Sequence, residues 1–177
     1  MDLLYSSTVI NERIGDIASH LNKELKGHRQ IHMIVVMNGA FMFAADLARK
    51  LNLPVVMHFT GGSYFDGPIK QELGLQPQTL PSSFGNTPVL VVEDILDSGN
   101  SIDKVRQLLA DRQAKQISII SLLKRQGTRV QADHVAFTIP NEMFVVGYGL
   151  DLDGRYRELR DIYHLASAPT GNTSGTC

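Results

Sequence analysis

The chain has 177 residues, 43% hydrophobic and 20% charged, with a formal net charge of -1. That length suits one domain with a sizeable core, and the near-neutral balance gives no global basic excess to attract nucleic acid or a membrane surface. The single cysteine, Cys177, excludes an intramolecular disulfide and a cysteine metal cluster, and fits a reducing, cytoplasmic setting.

Met1-Asp2-Leu3-Leu4-Tyr5 lacks the basic region and apolar stretch of a signal peptide, and no membrane span is expected. Ile10, Ile14, Ile17, Ala18, Leu21 and Leu25 recur at helical spacing, with Ser7 a candidate cap. Residues 31–37 read as a buried strand, 41–51 as a helix and 53–59 as a second strand. Residues 60–86 hold Gly61, Gly62, Gly67, Pro68, Gly74, Pro77, Pro81 and Gly85. A connection this long and rich in breakers is either a functional lid or a surface excursion containing a hairpin. A third strand spans 89–92, and a helix follows from Ser101. Further strands are expected at 117–123, 134–139 and 143–146. Strand–helix alternation predicts an α/β fold, a mostly parallel central sheet with helices on both faces. The last two strands follow each other too closely for a helical crossover, so that end departs from the pattern. Residues 1–165 form a single domain; the Ser/Thr/Gly-rich 166–177 reads as a disordered tail.

The most informative stretch is Val89-Leu90-Val91-Val92-Glu93-Asp94-Ile95-Leu96-Asp97-Ser98-Gly99-Asn100-Ser101. An apolar β-branched run ends in two acids, then a third acid, then a small polar loop that opens a helix. Backbone N–H groups of Ser98, Gly99, Asn100 and Ser101 can turn around an anion, with Ser101 a plausible N-cap. A phosphate there meets unpaired N–H groups and the positive end of the helix dipole. In an open α/β sheet, ligands sit beyond the carboxyl ends of strands. Glu93 and Asp94 can accept hydrogen bonds from ribose hydroxyls or hold a hydrated Mg2+ completed by a diphosphate. Asp97 is placed to take a proton from a nucleophile attacking the sugar. Acids near a helix start and Ser-Gly-Asn turns are individually ordinary; the ordered string is not.

This string closely resembles the phosphoribosyl-pyrophosphate motif of the type I phosphoribosyltransferases, and the chain looks like the hypoxanthine/guanine phosphoribosyltransferases among them. Phe144-Val145-Val146-Gly147-Tyr148-Gly149-Leu150-Asp151 resembles that family's purine-site strand and loop. Arg157 matches the arginine that follows. Residues 35–47 match its early strand–loop–helix, and Ser63-Tyr64 resembles the pair in its mobile loop. Similarity runs from about Ser7 to about Leu165.

The resemblance implies a type I phosphoribosyltransferase fold with a small hood and a lid loop. It implies a purine-salvage transferase joining 5-phosphoribose to hypoxanthine or guanine with Mg2+, acting as a homodimer or homotetramer. Asp97 would be catalytic, and 97–101 would hold the 5-phosphate. Glu93 and Asp94 would orient the ribose and, with Asp151, serve the metal. Phe144 would stack on the purine, with Val145 and Asp151 beside it. Asn38, Gly39, Ser63, Tyr64 and Arg157 would reach the pyrophosphate. Lys124 is the choice for the purine oxygen, with Arg125 the alternative. At the first loop the family carries Lys-Gly with an unusual cis peptide; this chain has Asn38-Gly39.

Two rival classes remain open. A non-catalytic phosphoribosyl-pyrophosphate sensor on the same fold, such as a nucleic-acid-binding regulator, lacks a clustered basic surface to support it. A receiver-like or generic nucleotide-binding domain lacks Gly-x-x-x-x-Gly-Lys-Ser/Thr and Gly-x-Gly-x-x-Gly runs, and the scattered histidines lack zinc-hydrolase spacing.

Overall fold

The protein is described from a computed structural model, which covers residues 1–60, 63–66, 69–72 and 80–166, with the backbone alone at 63–66 and 69–72. The side chains of Ser63 and Tyr64, and all of the expected tail except Ala166, lie outside the described residues.

Helix α1 (Ser7–Glu24) buries Ile10, Ile14, Ile17, Ala18 and Leu21 along one stripe. Each such aliphatic side chain contributes ~1.5–3 kcal/mol by leaving water. Its cap is Ser6, whose hydroxyl accepts from Val9 N–H at 3.4 Å, one residue before the expected Ser7. Ser7 N–H instead donates to Asp161 Oδ1 at 2.6 Å. Strand β2 (Ile31–Val36) leads to helix α2 (Phe41–Ala48), shorter than the 41–51 expected, and then to strand β3 (Val55–Thr60). Pro54 has no N–H to give the ladder, so β3 begins after it, later than expected.

Strand β4 (Ser63–Asp66) pairs antiparallel with β5 (Ile69–Glu72) inside the breaker-rich connection, which therefore contains a hairpin. Strand β6 (Val89–Leu96) runs four residues past its apolar core, because parallel pairing continues through Glu93↔Ser121 and Ile95↔Leu123. Helix α3 (Asn100–Asp111) follows, then β7 (Ile117–Arg125) and β8 (His134–Ile139). These strands form a five-stranded sheet of order β3-β2-β6-β7-β8, parallel throughout. Alternate residues face opposite layers. Met33, Val35, Leu90 and Val92 pack with α1 and α2, while Ile34, Val36, Val89 and Val91 pack with α3 and Phe84.

The strand expected at 143–146 does form, as β9 (Phe144–Val146), but outside the central sheet. It pairs antiparallel with β10 (Ile162–Leu165), which pairs antiparallel with β1 (Asp2–Tyr5). Neither β1 nor β10 is among the strands expected from sequence. The result is a separate three-stranded hood.

Candidate active site

The order of the central sheet reverses between β2 and β6: the chain moves outward to β3 on one side and to β7 and β8 on the other. A crevice at such a switch point, beyond the carboxyl ends of the strands, is where open α/β sheets take ligands. Parallel register brings Asn38 and Gly39 (after β2), Asp94 to Asp97 (on and after β6) and Lys124 and Arg125 (ending β7) to this one rim.

The β2 and β6 ends meet closely. A Cβ on Gly39 would fall inside the Asp94 carboxylate, and one on Gly149 would collide with the Gly39 carbonyl. Only glycine fits at this junction, where the rim touches the loop after β9. A cis peptide stands at Met37–Asn38, one bond before the Asn38-Gly39 pair that matches the family's Lys-Gly. Asn38 itself is exposed.

Glu93 is buried, with Oε2 free of any partner, while Asp94 Oδ1 accepts from Ile95 N–H at 2.8 Å. Burial, then the neighbouring Asp94, pushes the Glu93 carboxyl well above the usual range. Burial also raises Asp94, but a hydrogen bond from Glu93, backbone N–H groups and the Arg157 charge oppose the rise. Two buried carboxyls side by side disfavour ionising both at once, and the backbone N–H groups and the Arg157 charge favour the charged form at Asp94.

Beyond them the chain turns through Ser98 and Gly99. Gly99 has φ +85° and is the N-cap of α3, so the cap is Gly99 and Ser101 sits within the first turn. The left-handed turn separates strand from helix, and a cavity of about 50 Å³ lies beside it, lined by Glu93, Asp97, Ser98, Gly99 and Ser101. Residues 126–133 link β7 to β8 without a helix and instead brace this loop. Thr128 Oγ1 donates to Asp97 O, Arg129 Nε donates to Ser98 O at 3.3 Å, and Val130 packs where a Gly99 side chain would lie. Sequence reasoning missed this brace; Gly127 between two strands was its only local signal.

The hood supplies the opposite wall. Phe144 is half-buried at the start of β9, and Val145 pairs with His164 of β10. The chain then turns through Gly147, Tyr148 and Gly149, all at positive φ. Tyr148 OH donates to the Asp46 carboxylate on α2, and burial with that bond pushes the phenol well above its usual range. Arg157 Nη1 donates to Gly149 O at 2.7 Å and Nη2 pairs with Asp151 Oδ1 at 2.8 Å. Asp151 Oδ2 accepts from Gly154 N–H at 2.8 Å. Arg125 is committed to protein partners, the 140–143 carbonyls and Asp97. Lys124 is half-buried beside it, and its ammonium makes no hydrogen bond or ion pair among the described residues.

No set of three or more His, Cys, Asp or Glu side chains among the described residues could hold a metal ion by itself. Asp151 nonetheless pairs with Arg157, whose charge also acts on Asp94. This donor set fits a cation like Mg2+ that keeps most of its water, takes one or two carboxylates and brings phosphate oxygens with it. No helix among the described residues is long and apolar enough to cross a membrane.

Residues 4–153 match the family described as phosphoribosyl transferase domain. The hypoxanthine phosphoribosyltransferase of Haemophilus influenzae is 35% identical over 165 residues, spanning 90% of this chain and 92% of that protein. The crystal structure of a hypoxanthine phosphoribosyltransferase from Staphylococcus aureus superposes with a TM-score of 0.79 at 29% identity, covering 93% of this chain and 90% of the other. The corresponding enzyme of Trypanosoma cruzi gives 0.78 at 34% identity, covering 93% and 96%.

Proposed function

The chain belongs to the phosphoribosyltransferase family, in its hypoxanthine phosphoribosyltransferase branch, and from that premise we propose that it moves 5-phosphoribose from phosphoribosyl pyrophosphate onto hypoxanthine or guanine. The products are the nucleoside monophosphate and pyrophosphate. One observation carries the assignment. The acids of β6, the Gly99-headed phosphate loop and the Phe144–Arg157 hood share a single rim at the sheet's switch point.

The 5-phosphate rests in the 97–101 loop, held by the first N–H groups of α3. Asp94, with Glu93 behind it, accepts from the ribose hydroxyls. Phe144 stacks on the purine, an interaction worth ~1–3 kcal/mol per base in nucleic-acid systems, and Val145 offers backbone groups to the purine edge. Lys124, without a partner among the described residues, donates to the exocyclic oxygen. Arg157, Gly39 and Asn38 face the pyrophosphate, with Ser63 and Tyr64 of the hairpin as the lid contacts. Asp151, with Asp94 nearby, would hold Mg2+, which would supply charge neutralisation at the pyrophosphate. The imidazole nitrogen attacks the anomeric carbon, the bond to the pyrophosphate oxygen breaks with its electron pair leaving on pyrophosphate, and Asp97 accepts the nitrogen's proton.

The test is an ultraviolet assay of the purified protein with Mg2+, phosphoribosyl pyrophosphate and hypoxanthine, guanine or xanthine in turn. Nucleotide is expected with hypoxanthine or guanine. Phosphoribosyl-pyrophosphate binding without nucleotide from any purine would replace this reading with a regulatory sensor. The protein is also proposed to act as a homodimer or homotetramer, and a monomer mass by light scattering at assay concentration would reject that.

A further inference from the structure

Arg125 ends β7 with its side chain 15% exposed. Nη1 donates to the Asn141 carbonyl, to the Met143 carbonyl at 2.9 Å and to the Pro140 carbonyl at 3.4 Å. On the opposite edge of the same guanidinium, Nε lies 3.3 Å from Asp97 Oδ2. Residues 141–143 lead directly into Phe144. One planar group therefore bridges the carboxylate beyond β6 and the turn that sets the start of β9.

We propose that Arg125 is a positioning residue: it fixes the proton-accepting carboxylate of Asp97 relative to the aromatic ring of Phe144. The inference rests on the catalytic reading above. The two groups belong to different layers. Asp97 is 64% exposed and follows the central sheet, whereas Phe144 belongs to the hood. The purine must meet both at once, with its flat face on Phe144 and its reacting nitrogen at Asp97. A register error of about 1 Å between them costs on the order of 10²-fold in rate.

The chemistry of the contact set selects arginine. Every partner is an acceptor, and they lie on two sides of the group. Guanidinium offers five N–H donors in a rigid fork and keeps its charge; an ammonium is a compact point charge that cannot span both sides. Strand alternation turns Lys124 and Arg125 to opposite faces, so the adjacent cations divide the work: one is left for the ligand and the other holds the frame.

The test uses the full chain carrying Arg125→Met, Arg125→Lys or Arg125→Gln, each also combined with Asp97→Asn. Steady-state kinetics with Mg2+, phosphoribosyl pyrophosphate and the preferred purine are read beside thermal melting. Arg125→Met is expected to lower kcat by about 10–10²-fold and to raise the purine KM, leaving the KM for phosphoribosyl pyrophosphate near its original value. Arg125→Lys is expected to restore part of kcat without restoring the purine KM. In the Asp97→Asn background the same Arg125 change is expected to cost little further kcat, since its effect runs through Asp97. Equal fold losses in both backgrounds, or an unchanged purine KM, overturn the proposal. If Arg125→Met does not fold, the Lys and Gln variants carry the same comparison. An unmutated protein that forms no nucleotide overturns the catalytic reading and this inference together; an active one without the coupling overturns the inference alone.

Discussion

From Val89 to Asp111 the chain runs from strand through turn to helix without leaving one neighbourhood. The purine side has no such continuity: Asp2–Tyr5, Phe144–Val146 and Ile162–Leu165 pair across nearly the whole described chain. The half proposed to hold the phosphate is thus a local motif, whose exposed helix N-terminus follows from backbone geometry once Gly99 turns the chain. The hood exists only through tertiary structure, held by long-range pairing and by side chains that bridge layers, such as Tyr148 to Asp46 and Arg125 to the Met143 carbonyl. Damage to the first is expected to act on turnover, and damage to the second on purine affinity.

The largest expected effect is in the local half. Asp97→Asn should slow turnover by roughly 10²–10⁴, the usual worth of general acid–base help, with the fold intact. Near-normal kcat in a folded Asp97→Asn protein would refute its role. Next comes the junction of the two halves. Gly39→Ala places a methyl within the Asp94 carboxylate, and displacing that acid should cost on the order of 10² in kcat/KM. Kinetics equal to the parent's would show that Asp94 moves aside freely and that the close approach is incidental.

In the hood, Phe144→Ala should raise the purine KM by about 5–150-fold, the equivalent of ~1–3 kcal/mol of stacking, while the KM for phosphoribosyl pyrophosphate barely moves. A matching rise in both constants would erase the proposed division between the halves. The smallest effect concerns the sheet face beneath the phosphate half. His32 Nδ1 lies 2.8 Å from His58 Nε2, and Phe84 packs edge-on against both rings. Burial, then the adjacent His58, holds the His32 pKa below the usual histidine value. The native state therefore binds this proton less tightly than the unfolded chain does. The stability contribution is complete above the unfolded value of ~6.5 and is lost as pH falls from there through the lowered native value. Melting curves between pH 7.5 and 5 (about the range the window covers) should decline more steeply for the parent than for His32→Gln. Parallel declines would show that His32 does not set the acid sensitivity.

Most of the central sheet is legible in the sequence because its strands are continuous apolar runs and its first helix repeats every three to four residues. The string from Val89 to Ser101 announces the strand–turn–helix for a related reason: sequence neighbours are spatial neighbours there. Its details needed coordinates. The cap falls on Gly99 rather than Ser101 because the chain is left-handed there, and Val130, thirty-one positions on, leaves no room for a side chain at that turn. β1 escapes a sequence reading because four residues carry little periodicity and their partner, His164 to Ile162, lies at the far end of the chain. Arg125 reads as an alternative ligand contact because a basic residue at a strand end gives no hint of which carbonyls fold back onto it. Local chemistry is written in consecutive residues; bridging contacts are set by topology.

The pairing of β1 with β10 also has a consequence for synthesis. A ribosome delivers β1 first, yet that strand finds its hydrogen-bonding partner only when residues 162–165 emerge. A chain ending near Pro140 contains the residues of β6 and α3 and lacks the β9 and β10 strands. Under the proposed function, the wall assigned to the nucleobase is therefore completed later in synthesis than the β6–α3 turn.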